Sequence, residues 1–215
     1  PKPSVGIHLL QDLVINEKLF PELHNLEGTP QEFEWHPEGN VLIHSALAVD
    51  TAKGQVEDLP YAQQVTVMLA ALFHDLGKVE TTFRDTDGKL RSPGHAEAGV
   101  SLARNMLDRF GLHSIDGYDV RGQVLKLVEF HMHPGQFARD ENIKDSAFRR
   151  LSTKVDLNLL ARVFFSDSMS RNGNKLGIVF GTEKVDWFRN KVDTLEILPE
   201  GPEKLLLGRH LLDMK

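Results

Sequence analysis

No cysteine occurs among the 215 residues. That excludes a disulfide scaffold, zinc fingers, thiolate metal sites and a cysteine nucleophile. An excess of positive charge is also missing, since 25 Lys and Arg face 31 Asp and Glu for a formal net charge of −6. A broad, sequence-blind grip on nucleic acid needs a basic surface, so composition argues against that function. No run approaches the roughly 18 apolar residues of a membrane span, and no basic-then-apolar signal opens the sequence. Internal repeats and low-complexity tracts are absent, and alternating strand-like runs nearly so. These absences set the expectation of a soluble, cytoplasmic, globular protein with no membrane partner. The length fits one domain of about 100–200 residues with a small appendage. A single core of this size buries about 70% of the unfolded chain's surface and needs no staple. We expect a domain over 1–198 and a short tail over 199–215, where Pro199, Gly201 and Pro202 interrupt the pattern.

Against two tryptophans and two tyrosines stand ten histidines. Histidine is the commonest metal ligand and the usual acid–base group near neutral pH, so their positions matter. Apolar residues recur at helical spacing almost everywhere. The spacing predicts helices over 3–20 (with Ser4 as N-cap), 41–53, 61–77, 95–110, 120–131, 145–151, 156–171 and 179–198. The stretch 61–77, "YAQQVTVMLAALFHDLG", is apolar nearly all round and reads as the buried central helix. Residues 27–40, "EGTPQEFEWHPEGN", carry two prolines and two glycines and read as a long loop. "RDTDGKLRSPG" and "HPGQFARDEN" read as further loops. The fold class is therefore all-α, a bundle of about seven or eight helices.

Several of these helices carry an ionisable residue inside an apolar stripe. His44 shares a face with Val41, Leu47 and Ala48. His95 aligns with Ala98, Gly99, Leu102 and Met106, and His131 follows Val124, Leu127 and Val128. Asp167 and Arg171 continue the stripe of Leu160, Val163 and Phe164, while His74 and Asp75 end the central helix. Burying one ionisable group is unfavourable by several kcal/mol unless it is paired, hydrogen-bonded or bound to a metal. A lone case is an ordinary core histidine. Five or six on separate helices of one core point to a shared metal site. Ligation by histidine and aspartate without cysteine suits a hard-to-borderline divalent ion.

His44, then His74–Asp75, then Asp167 reproduce the H…HD…D pattern of the HD-domain metal-dependent phosphohydrolases. The segments "HPEG", "ALFHDLGKVETT", "GHAEAGVSLARNML" and "LVEFHMHPGQ", in that order, resemble the HD region of bacterial tRNA nucleotidyltransferases. The similarity runs over about 3–171 and weakly over the tail segment "KLLLGRHLLD". The sequence begins where that region begins, as a stand-alone protein or an excised domain does. The Gly-Ser or Gly-Gly pair and paired strand carboxylates needed for nucleotidyl transfer are not among these residues. The Asp-x-Asp of "RDTDG" lies in a turn and reads as a solvated connection.

The resemblance implies an all-α HD core and a metal shell of His44, His74, Asp75 and Asp167. Asp75 would bridge to a second metal completed by His95 and His131. It implies hydrolysis of nucleotide or RNA-end phosphoesters by attack of a metal-held hydroxide, through 2′,3′-cyclic phosphodiesterase, 2′-nucleotidase and phosphatase activities. The expected metals are Mn²⁺, Ni²⁺, Co²⁺ or Fe²⁺ rather than Mg²⁺, which prefers oxygen ligands. Lys78 and Arg171 are expected to neutralise substrate phosphate; otherwise Lys78 is a helix-end cation and Arg171 a salt-bridge partner of Asp167. His36, in "WHPEG", is a further candidate substrate contact. Trp35 and Phe33 could stack on a base, although anchoring of their loop is the plainer expectation. His133 is expected to face solvent or substrate; His8, His24, His113 and His210 read as surface or packing residues. The expected partner is a fused or associated kinase or nucleotidyltransferase domain. The competing readings are a 5′-deoxynucleotidase of the same superfamily and a non-catalytic tRNA-binding module.

Overall fold

The computed structural model describes residues 2–197, and helix dominates them. In chain order come α1 (Pro3–Asp12), α2 (Ile15–Leu19), α3 (Pro21–Glu27) and α4 (Val41–Lys53). Next are α5 (Tyr61–Phe73), α6 (Lys78–Thr81), a hairpin of β1 (Phe83–Arg84) and β2 (Leu90–Arg91), and α7 (His95–Arg109). Then follow α8 (Val120–Phe130), α9 (His133–Phe137), α10 (Asp145–Ser152), α11 (Leu157–Ser170) and α12 (Glu183–Thr194). A single 3₁₀ turn, Arg171–Gly173, extends α11.

Helix starts follow the side chains that can accept first-turn N–H groups. Asn40 accepts from the Ile43 N–H at 3.0 Å and opens α4. Asp119 accepts from the Gly122 N–H at 2.8 Å and opens α8. Asp156 accepts from the Asn158 and Leu159 N–H groups at 2.8 and 3.2 Å and opens α11. The apolar stripes then dictate packing: α4 lies against α11 and α5, and α8 lies against α5 and α7. One buried cluster gathers Ala48, Leu127, Phe148, Leu160 and Phe188; the other gathers Leu26, Val41, Leu76, Met106 and Val124. Met68 on α5 packs against both, so this helix is central, as its sequence predicts.

Among the described residues eight helices have eight residues or more, in line with the expected all-α bundle, and four short ones accompany them. The differences have local causes. The helix expected over 3–20 breaks at Val14, which adopts a left-handed φ of 57°, and α2 restarts behind it. Ser4 is not a cap but a tie: its N–H and Oγ donate to the Asp50 carboxylate of α4 at 2.8 and 2.6 Å. Residues 133–142 hold the short α9, because Pro134 sits in its first turn, where a missing N–H is harmless. The helix expected from 179 starts only at Glu183. Ahead of it, Asn174 Oδ1 accepts from the Leu176 and Ile178 N–H groups, and Asn172 Oδ1 accepts from the Phe180 N–H. These side chains replace the helical bonds that 174–182 would otherwise make. The "RDTDG" carboxylates pair with Arg91, Asp85 at 2.6 Å and Asp87 at 2.7 Å, as a solvated turn requires. The tail 199–215, with His210 and "KLLLGRHLLD", lies outside the described residues.

Candidate metal centre

The HDLGK segment follows the end of α5, leads into α6 and packs against the first turns of α7, and that close approach demands glycine. A Cβ on Gly77 would meet the His95 carbonyl oxygen at 2.1 Å and the Gly99 nitrogen at 2.5 Å. Only two glycines in contact allow His74, Asp75 and His95 to come so near one another. His74 closes α5, His95 opens α7 and His131 closes α8, while His44 and Asp167 project from within α4 and α11. All five are buried or nearly so, as is Asp75.

Each histidine is held by its Nδ1. The Nδ1 of His74 lies 2.8 Å from the Ala71 carbonyl, that of His95 2.7 Å from Ser92 O, and that of His131 2.7 Å from Val128 O. A carbonyl only accepts, so each Nδ1 carries the proton and each Nε2 presents a lone pair. His44 Nδ1 lies 2.6 Å from Glu38 Oε1, with the same consequence. The lone pairs converge in two sets. Nε2 of His44 and of His74 are 3.2 Å apart, with Asp75 Oδ2 3.6 and 3.3 Å from them and Asp167 Oδ1 3.2 and 3.9 Å away. Nε2 of His95 and of His131 are likewise 3.2 Å apart, and the other oxygen, Asp75 Oδ1, is 3.4 and 4.0 Å from them. Facing lone pairs at such distances repel unless a cation lies between them. His44, His74 and Asp75 form one donor group able to hold a metal, and Asp75, His95 and His131 form a second.

The charges agree with that fit. Burial raises a carboxyl pKa, yet His74, Lys78 and His95 outweigh it at Asp75 and hold it well below the ordinary value. Burial is likewise overcome at Asp167, chiefly by the charge of Arg171. Burial above all pushes His131 down to about 3, so it is neutral as a ligand must be. At His44 burial works downward, but Asp167 and Glu38 prevail and raise it, so the site draws positive charge to this position. Three enclosed carboxylates, Glu38, Asp75 and Asp167, stand against two cations, Lys78 and Arg171. A bound cation relieves the surplus.

Around the donors lie the other candidates. Lys78 is 9% exposed; its Nζ is 2.7 Å from Asp75 Oδ2 and donates to Gln31 Oε1 at 2.8 Å. Arg171 reaches Asp167 at 3.4 Å and stands 5.8 Å above the Phe180 ring, while its buried Nε has no hydrogen-bond partner. His36 stands apart from the two Nε2 sets, although with Glu38 and His44 it makes a third group of donor atoms close enough to hold a metal. It packs edge-on against His44 at 4.7 Å and bonds Glu38 at 2.9 Å, and burial lowers its pKa to about 4. Glu38, which the sequence reading leaves without a role, is enclosed and held at about 2 against burial by hydrogen bonds from His36 and His44. Its signal in the sequence is the short "HPEGN" turn that reaches back to His44. His133 is half-buried, wedged between Phe130 and Phe137, with its Nδ1 enclosed and without a hydrogen-bond partner. His8 and His113 are on the surface, and His24 is half-buried near Gln11.

Two cavities open onto the cluster. One, of about 300 Å³, touches His131 and Asp167; the other, of about 480 Å³, touches His36, Lys78 and His95. Both are lined by Trp35, Met132, Arg139 and Arg171. Arg139, whose sequence context gives only a loop, is thus a further cation at the opening. The expectation that Trp35 and Phe33 anchor their loop to the core is incorrect, because they are 54% and 61% exposed. Polar groups hold that loop instead.

Comparison with known proteins agrees with this arrangement. The chain is 32% identical over 155 residues to the multifunctional CCA protein of Dechloromonas aromatica (strain RCB), covering 72% of this chain and 34% of that protein. It is 30% identical over 177 residues to the multifunctional CCA protein of Pasteurella multocida (strain Pm70), covering 80% and 40%. The chain therefore spans little more than a third of the length of these relatives. Residues 41–172, which carry all six donors, match the HD domain model, and the chain belongs to the HD-domain family.

Proposed function

We propose that the protein is a metal-dependent phosphohydrolase that cleaves phosphoesters of nucleotides or RNA ends, acting on 2′,3′-cyclic phosphates, 2′-nucleotides and related monoesters. The observation that carries this reading is Asp75, whose two oxygens each face a separate pair of histidine Nε2 atoms. One carboxylate so placed can serve two cations. Two divalent metals held there would supply hydroxide near neutral pH and a clamp for phosphoryl oxygens. The nitrogen-rich donor set favours Mn²⁺, Fe²⁺, Co²⁺ or Ni²⁺ over Mg²⁺.

The chain's own residues do the rest. His44, His74, Asp75, His95, His131 and Asp167 hold the metals, and the backbone carbonyls and Glu38 fix the ring orientations. Lys78 and Arg171 each contact a ligand carboxylate and also line a cavity. They therefore offset phosphate charge at the point where substrate meets the cluster. The relatives are named multifunctional CCA proteins, so a nucleotidyltransferase domain is the proposed associate of this unit, with a kinase domain as the alternative. Among the described residues no helix is long and apolar enough to cross a membrane. A purely structural tRNA-holding role has no use for six converging donors.

Metal analysis of the purified chain, followed by side-by-side assay of 2′,3′-cAMP, 2′-AMP, 5′-dAMP and dGTP, tests the proposal. Chelator should abolish turnover of the first two substrates, and a transition metal should restore it better than Mg²⁺. Preference for 5′-dAMP or dGTP would move the protein to another branch of the superfamily. A metal-free, inactive chain would leave the binding module.

A further inference from the structure

The loop 28–40 spends no large apolar side chain on the core, yet it is fixed at both ends and in the middle. The Val41 N–H donates to Thr29 O at 3.2 Å, and Asn40 Nδ2 donates to Glu27 O at 2.9 Å. Glu32 Oε2 accepts from the Leu90 N–H at 2.9 Å, and Glu34 Oε2 from Lys89 Nζ at 2.9 Å, so the hairpin braces the loop from one side. Lys78 braces it from the other through Gln31. Within the loop, the Trp35 and His36 N–H groups donate to Glu32 O at 3.1 and 3.0 Å.

This bracing holds in place an indole that is half exposed and is stacked on no other ring among the described residues. Leaving such an apolar surface in water is unfavourable by about 25 cal/mol per Å², and holding it still gains nothing for the fold. Its position is specific. Trp35 and Met132 line both cavities, one of which reaches His131 and Asp167 and the other His95 and Lys78. Phe33, two residues away and equally exposed, lines neither. A flat, pre-positioned aromatic surface beside a phosphoryl site matches the π-face of a base, and stacking needs no particular base.

Resting on the phosphohydrolase reading above, we propose that Trp35 is the platform on which the substrate's nucleobase stacks while its phosphate lies at the Asp75 cluster. The enzyme's substrate is then a nucleotide or a nucleotide-terminated RNA, not a small phosphoester. The loop contributes binding of the non-reacting part of the molecule, which raises affinity for the phosphate's carrier without entering the chemistry.

The test compares 2′-AMP with glycerol 2-phosphate, both monoesters of a secondary alcohol, only one carrying a base. Mn²⁺-loaded full-length chain is rapidly mixed with each, and tryptophan emission and steady-state turnover are recorded. Trp187, packed against Phe148 at 5.8 Å, supplies a second emission that the base does not reach. We expect 2′-AMP to quench part of the emission and glycerol 2-phosphate to leave it unchanged. Trp35→Leu should abolish the quench and raise KM for 2′-AMP by about 10- to 100-fold. Metal content and turnover of glycerol 2-phosphate should be unchanged, Trp35→Phe should recover most of the KM, and Phe33→Leu should behave as the wild type. Absence of the quench, or an unchanged KM in Trp35→Leu, overturns the proposal. A base-dependent quench without turnover of any phosphoester keeps the stacking platform and removes the hydrolase. Turnover without a quench does the reverse.

Discussion

At the scale of single residues, the donors differ in what their removal should do. His95 and His131 serve only the second donor pair, each through Nε2, and both Nδ1 atoms are bonded to carbonyls of their own chain segments. His95→Ala or His131→Ala should therefore lower metal content from two equivalents toward one and cut turnover, with the helical circular-dichroism spectrum retained. Two metals remaining in both variants would show that these rings are packing residues. Lys78 and Arg171 cannot ligate a cation. Lys78→Ala and Arg171→Ala should keep the metals and lose about 10–1000-fold in kcat/KM, the usual scale for one positioned charge donor. Arg171→Lys separates the two roles: metal retained with rate lost means that the planar fork met phosphate, whereas metal lost means that Arg171 orients Asp167. Glu38 acts through His44. In Glu38→Gln the amide no longer offers a charged acceptor to both His36 and His44, so the His44 ring loses its fixed tautomer. Metal affinity should fall about 10–100-fold, measured by competition with a chelator. The six proposed donors stand out in the sequence as polar intrusions in or at the ends of apolar stripes. Glu38 does not, because a loop has no periodicity against which a carboxylate looks misplaced.

At the scale of elements, the helix termini decide the geometry. Asp156 caps α11, the helix that carries Asp167. Asp156→Ala should destabilise the protein by about 1 kcal/mol in chemical denaturation, and Asp156→Asn, which keeps the accepting oxygen, should lose much less. Burial raises the Asp156 pKa, although hydrogen bonds from the Leu159 and Asn158 N–H groups oppose it. A raised folded-state pKa means that the protonated form is the one favoured by folding. The contribution is complete below the unfolded pKa and is lost as pH rises through the folded one. The stability of the wild type relative to Asp156→Asn should accordingly increase as the pH is lowered through that range; an increase with rising pH would contradict the assignment. Periodicity located most of the long helices to within a residue or two. It missed the break at Val14, the end of α5 at Phe73, four residues short of the expected 77, and the delayed start of α12. In the last case the side chains of Asn172 and Asn174 capture backbone groups from up to eight residues away, which no helical pattern records.

At the scale of the whole molecule, the site is the place where five long helices meet, so a bound metal would be linked to the fold. A cation that binds only the folded chain stabilises it by about 2.7 kcal/mol at a hundredfold excess over Kd. For a domain of this size each kcal/mol corresponds to about 2–4 °C in Tm. Thermal unfolding with Mn²⁺ or Ni²⁺ should show a rise that chelator reverses, and His44→Ala should lose most of it. An unchanged Tm would argue against a resident metal. The sequence by itself determined the all-α class, the positions of the main helices and the identity of the six ionisable residues that an apolar core would not otherwise admit, because these rest on composition and on spacing within one segment. Only the tertiary structure decided that Asp75 faces two histidine pairs at once, that Gly77 and Gly99 touch so that α7 can bring His95 to the site, that Glu38 orients His44, and that Trp35 stands exposed above the cavities. Each of these is a relation between separate segments, some of them well over a hundred residues apart in the chain, fixed by packing and by hydrogen bonds that local pattern does not contain.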